Sequence, residues 1–247
     1  RQMCIRDRHC NGGLAVGRTR ESTTLRNFYA VGECAGTFGV YRPGGSALNS
    51  TQTGALLAAM DIAAKGSVPP PSEEEVRRLV VSEWKRLFSM QGEVTREEIL
   101  FRRRKLGERM SDCAAFLRNP GKIDAAFSAC RAAVASFESD YGVCDKTLLI
   151  DALINRDILV TQLVFLGALR DYLADGGKSR GSYLVTEGDA ESALCEAPAM
   201  DTVHGAFVQN TTLSGWETSS VFEPVRPLPE SDQWFERVWN RYREMKK

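Results

Sequence analysis

The sequence predicts an α+β chain, and three observations carry that expectation. A strand-like run, a glycine-rich loop and an alanine-rich helix follow one another between Asn27 and Lys65. The middle of the chain is helical in composition, with two capping-box spacings and a regular apolar stripe. The tail returns to β-like text before a last aromatic-rich helix. The expected layout is a remnant of an α/β domain over 9–65, a linker at 66–72, a helical bundle over 73–184, and a β-containing tail over 185–247.

Each element has its own grounds. Arg1 to Arg8 show neither strand nor helix periodicity and resemble translated adapter sequence, so residues 1–8 are expected to be non-native and outside the fold. His9-Cys10-Asn11-Gly12-Gly13 is turn chemistry. Asn27–Glu33 reads as a buried strand stopped by Gly32. After the loop Gly36–Gly45, Ser46–Lys65 reads as a helix with Leu48, Ala55, Ala59 and Ile62 on one face, suited to close packing on a sheet or cofactor. Gly66–Pro71 is the linker, because its prolines cannot continue a helix. Ser72–Glu75 and Thr95–Glu98 mark two helix starts, and Asn119-Pro120-Gly121 reads as a turn. Ile123, Phe127, Cys130, Val134 and Phe137 form one apolar stripe. Leu148–Leu173 is expected as the central helix, ended by Gly176-Gly177 and covered by packing against the first domain. Phe207–Leu213 and Glu217–Val225 suggest strands, and Ser231–Met245 the last helix.

Composition excludes some classes. With 32 basic against 32 acidic side chains there is no electrostatic footprint for nucleic acid or anionic lipid. No apolar run approaches the roughly 20 residues that a membrane span needs. Seven cysteines without a C-x-x-C pair fit a reducing cytoplasm better than a disulfide framework or a metal site.

A strand end, a glycine loop and a helix start offer backbone N–H groups and a positive helix end to an anionic or electron-rich ligand. Glu33 at the strand end can accept hydrogen bonds from ligand hydroxyls, or is a solvated strand end. The G-x-G-x-x-G fingerprint is missing, so the residues alone give a nucleotide-like small-molecule site. Other polar features read blandly. Arg42 has the reading of a surface loop arginine, and His204 reads as structural. The cysteines read as small buried hydrophobes, and Arg102-Arg103-Arg104-Lys105 as a solvated helix face. Trp216, Trp234 and Trp239 read as packing or interface residues.

Asn27-Phe28-Tyr29-Ala30-Val31-Gly32-Glu33-Cys34 followed by Tyr41-Arg42-Pro43-Gly44-Gly45-Ser46-Ala47-Leu48 resembles the second FAD-binding segment of the fumarate reductase/succinate dehydrogenase flavoproteins. L-aspartate oxidase and the adenylylsulfate reductase α subunit belong to the same group. The family pattern is approximately G-L-Y-A-x-G-E, a spacer, then R-x-G-[GS]-N-S-L opening a helix. His9-Cys10-Asn11-Gly12-Gly13 looks like its H-[YF]-x-x-G-G, and Lys178–Tyr183 like its S-R-G-A-H stretch. The resemblance covers about residues 9–184 and is strongest over 27–62.

The resemblance implies a C-terminal portion of an FAD-dependent oxidoreductase that moves a hydride between flavin and a small fumarate- or succinate-like acid. FAD is the implied cofactor. Glu33 and Gly32 would serve its ribityl chain, while Gly44, Gly45, Ser46, Ala47 and Leu48 would lie along the isoalloxazine. Arg42 would clamp a substrate carboxylate and His9 would bond a second carboxylate or carbonyl. A small carboxylate and an electron-transfer subunit are the implied partners. Ala47 stands where the family usually has Ser, and Ser182-Tyr183 replaces Ala-His, so both contacts depart from the pattern. The dinucleotide fingerprint and substrate-capping region do not precede His9, so this portion alone is expected to be inactive. Two other readings stay open: amino-acid oxidation or sulfur-compound reduction on the same scaffold, and a non-catalytic helical interaction module.

Overall fold

The computed structural model describes residues 13–37, 46–67, 69–181, 183–188, 198–225 and 235–245. Among them the chain is α+β, mostly helical with two small two-stranded sheets. Helix α1 spans Ser46–Lys65 and α2 spans Glu73–Phe88. Ser72 caps α2 as its spacing predicts: its hydroxyl accepts from Glu75 N at 3.2 Å, and the Glu75 carboxylate accepts from Ser72 N at 3.1 Å. Three glutamates in the first turn and Lys85 and Arg86 in the last complement the helix dipole.

A short strand β1 (Gln91–Val94) leads to α3 (Arg96–Cys113), capped by Thr95. Strand β2 (Leu117–Arg118) precedes α4 (Pro120–Ala135) and the single turn α5 (Phe137–Asp140). Asn119-Pro120-Gly121 is thus a helix start rather than a free-standing turn. Asn119 Oδ1 accepts from Lys122 N at 3.0 Å, and proline at the first helical position gives up an N–H that has no partner there anyway.

Helix α6 (Leu149–Ala174) is the centre of the molecule. Helices α3 and α4 lie along it, and the antiparallel hairpin β4 (Phe207–Ser214) and β5 (Glu217–Pro224) packs on another side. The core is Ile99, Ile123, Phe127, Cys130, Leu159, Leu163 and Leu166 with their neighbours, so the predicted stripe on α4 is buried. Two buried amides fix the register of α3 on α6. Asn155 Nδ2 donates to Ile99 O at 2.9 Å, and two turns on Gln162 Nε2 donates to Leu106 O at 2.8 Å. Strand β3 (Leu184–Val185) pairs in parallel with β2, and a separate helix spans Phe235–Met245.

Several expectations are corrected. Asn27–Glu33 is not a laddered strand: it has one lone bridge, Tyr29 to Glu21, and ends in a 3-10 turn at Gly32–Cys34. A strand needs a continuous neighbour, and the segment finds none among the described residues. The Leu48/Ala55/Ala59/Ile62 face of α1 is outward, with Leu48 72% and Ile62 50% exposed. Helix α6 is covered by its own bundle and hairpin rather than by the first segment. Lys146–Ala174 also has the length and mean hydropathy, 1.5, of a membrane-crossing helix, because its few charged residues interrupt the run without lowering the average much. Arg103 is not simply solvated, since its guanidinium donates to Asn155 Oδ1 at 2.8 Å and Asp151 O at 2.9 Å. Cys113 and Cys130 are buried, and burial pushes their thiols up, but Cys34 and Cys144 are exposed.

Candidate functional site

The segment before α1 folds on itself through isolated backbone bonds. Leu14 N donates to Cys34 O at 2.8 Å, Ser22 N to Phe28 O at 2.7 Å, and Ala30 N to Arg20 O at 3.1 Å. Only glycine fits at two places. A Cβ on Gly13 would stand 2.0 Å from Cys34 O, and Gly32 has φ +76° with Thr51 Oγ1 3.0 Å from where a Cβ would be. The Gly32–Cys34 turn is thereby pressed against the second turn of α1. Glu33 and Cys34 face solvent there.

The inward face of α1 is made of small residues, with Gly54 and Ala58 buried and Gly54 against Arg20 and Val31. Its first turn carries no acidic residue, so the positive end of the helix is not neutralised from within. At its other end lies a polar knot. Tyr29 Oη donates to Asp61 Oδ2 at 2.5 Å, and Lys65 Nζ donates to Glu21 Oε2 at 2.6 Å, to Asp61 Oδ2 at 2.8 Å and to Tyr29 Oη at 3.0 Å. The three acceptors hold the Lys65 ammonium well above its ordinary range, and Lys65 holds the Asp61 and Glu21 carboxyls below theirs.

Of the residues singled out from sequence, Gly32 and Glu33 are brought against α1, while Ala47 and Leu48 lie in its first turn. Ser46 opens that helix. Arg42, His9, Gly44 and Gly45 lie outside the described residues. Sequence reasoning missed the knot, whose only local signal is the Asp61/Lys65 spacing. It also missed a second cluster. His204 is buried with Nδ1 2.7 Å from Asp201 Oδ2 and Nε2 3.0 Å from Asp175 Oδ2. Tyr172 Oη also donates to Asp201 Oδ2. Burial alone would raise the Asp201 carboxyl, but hydrogen bonds from Tyr172 and from the N–H groups of His204, Lys178 and Val203 hold it well below the usual range. Burial, with the bond to Asp201, pushes the Tyr172 phenol up, so it stays a neutral donor. The cluster ties the end of α6 to the turn before β4 and lies outside the segment that carries Glu33. Among the described residues no group of three or more His, Cys, Asp or Glu side chains is placed to hold a metal ion.

The described residues hold an exposed carboxylate at Glu33, which can accept hydrogen bonds, and a helix start free of acidic side chains, whose N–H groups can donate them. No protein-family model matches the chain, and no curated protein does. Among solved structures it matches a mutant of the E. coli quinol fumarate reductase chain FrdA, with a TM-score of 0.59 at 17% identity over 89% of this chain. The match takes in 37% of the FrdA chain, so this chain spans well under half the length of that protein. The likeness is one of fold: the chain is built like part of FrdA.

Proposed function

We propose that the chain is the C-terminal portion of an FAD-dependent oxidoreductase of the fumarate reductase/succinate dehydrogenase type, acting on a small carboxylic acid. One observation carries the reading. The described residues that resemble the FAD-binding pattern are the segment up to the Gly32–Cys34 turn, which packs against α1, and the start of α1 itself, within a chain whose fold matches part of FrdA.

The residues fit the group. An exposed carboxylate suits hydroxyl donors, and a helix start without acidic neighbours suits an edge that becomes negative. When bound, FAD supplies two-electron hydride chemistry. Glu33 accepts from the ribityl hydroxyls. Backbone N–H groups of Ser46, Ala47 and Leu48, which the helix itself cannot satisfy, donate to the pyrimidine edge. Gly44 and Gly45 admit close backbone approach. Arg42 holds a substrate carboxylate with its planar fork, and His9 bonds a second carboxylate or carbonyl. A reducing cytoplasm and an electron-transfer subunit complete the reading.

The test is Glu33→Ala in the full-length protein, purified with its flavin. Losing a hydrogen bond to a charged acceptor costs about 1.5–3 kcal/mol, so flavin should bind roughly ten- to a hundredfold more weakly in equilibrium dialysis. Flavin retention equal to wild type would remove Glu33 from the site, and a full-length protein without flavin absorbance would end the reading altogether.

A further inference from the structure

We infer that Lys65, with Glu21, Tyr29 and Asp61, is a positioning residue: the knot sets the register of α1 against the preceding segment, and through it the seat for the flavin at the far end of the helix. The part that concerns flavin rests on the function proposed above; the part that concerns register does not.

The interface that needs setting is a smooth one. Helix α1 meets the segment with Thr51 against Gly32 and Gly54 against Arg20 and Val31, small residues that allow close approach but offer little to oppose sliding or rotation. The segment has lone bridges instead of a ladder, so backbone pairing specifies its register weakly too. Thr51 against Gly32 is one fixed point. The knot lies about 15–21 Å further along the helix, at 1.5 Å per residue. A rod held at one point still pivots, and the second point removes that freedom.

The knot has the geometry of a lock. Glu21 and Tyr29 are bridge partners on the segment, and Asp61 and Lys65 are one turn apart on α1. Asp61 Oδ2 accepts from both Tyr29 and Lys65. The Glu21 carboxylate takes Lys65 on one oxygen and Asn27 N on the other at 2.8 Å. Side-chain exposures of 36%, 25% and 17% for Lys65, Glu21 and Asp61 leave the knot partly screened, where ion pairs add little net stability. Its contribution is directional.

The experiment uses the full-length, flavin-bound protein with Lys65→Met, Lys65→Arg and Glu21→Gln, reading flavin affinity, the flavin absorption band and amide exchange. Remote positioning residues typically move binding by about two- to thirtyfold. Lys65→Met should weaken flavin by that factor, perturb the band and speed exchange at Ala30, Ala35 and Gly36. Lys65→Arg should restore all three. Glu21→Gln keeps an acceptor for Asn27 and carries the test if Lys65→Met does not fold; it should act in the same direction. Unchanged affinity, band and exchange in both variants would overturn the inference. Faster exchange with unchanged affinity and band would overturn its flavin part. A wild-type protein without flavin would instead overturn the proposed function and the flavin part with it, leaving exchange to decide the register.

Discussion

Asp201 is a buried carboxylate whose hydrogen bonds account for its charge. Its oxygens receive Tyr172 Oη, the backbone N–H groups of Lys178, Val203 and His204, and the imidazole of His204. Because the Asp201 carboxyl is held below its unfolded range, its stabilisation is fully present above that range, near pH 4, and is lost as the pH falls through the folded value. Asp201→Asn should therefore cost about 2–4 kcal/mol in urea unfolding at pH 7, with a gap that narrows as the pH is lowered below 4. A gap that stays constant down to pH 3 would mean that the carboxylate is not the source. The sequence reads His204 as structural from its place near the first tail strand. It does not show that Tyr172 and Asp175, almost thirty positions earlier, close the cluster.

The elements with a strong local signal are the ones that were legible. The stripe from Ile123 to Phe137, the end of α6 near Gly176, the capping spacing at Ser72 and the two tail strands each follow from periodicity or end chemistry within a dozen residues. What failed depended on partners. Asn27–Glu33 has strand composition, but a strand is made by its neighbour, and the outward face of α1 was assigned from hydrophobicity although the small face, Gly54 and Ala58, is the one that packs. Of the candidate site, the Gly32–Glu33 turn and the helix start were readable, whereas the knot at Lys65 needed the fold. The contact of α6 with the hairpin gives a test at this scale. A Cβ on Gly167 would lie 2.3 Å from Thr218 Oγ1 and 2.8 Å from its Cβ, too close for a rotamer change to relieve. Gly167→Ala should destabilise by about 1–3 kcal/mol in thermal or urea unfolding, through displacement of β5. A neutral result would show that the hairpin rides loosely on α6.

For the molecule as a whole, α1, α2 and the helix Phe235–Met245 leave apolar faces outward among the described residues. Leu48, Leu56, Met60 and Ile62 on α1 and Val76, Leu79, Val80 and Trp84 on α2 are all exposed. Single exposed apolar residues are ordinary, whereas apolar helical faces of this kind favour association in water. The 247-residue chain in isolation should bind a hydrophobic dye and self-associate with rising concentration in light scattering, and Leu56→Glu with Leu79→Glu should reduce both. A monodisperse chain with no dye signal would count against these faces as interaction surfaces. The small parallel sheet has a different consequence, one of timing. Strands β2 and β3 bracket α4, α5 and α6, and beside them Asn119 Nδ2 reaches Thr186 O across 67 positions. Closing such a loop costs about 4 kcal/mol of chain entropy, more than a two-residue ladder returns. The ladder has to wait until α4 and α6 have paired and carried its ends together, so it forms late in folding. Sub-global opening should also begin there, so in native-state hydrogen exchange the amides of Leu184 and Thr186, bonded to Phe116 O and Arg118 O, are expected to exchange well before those of α6.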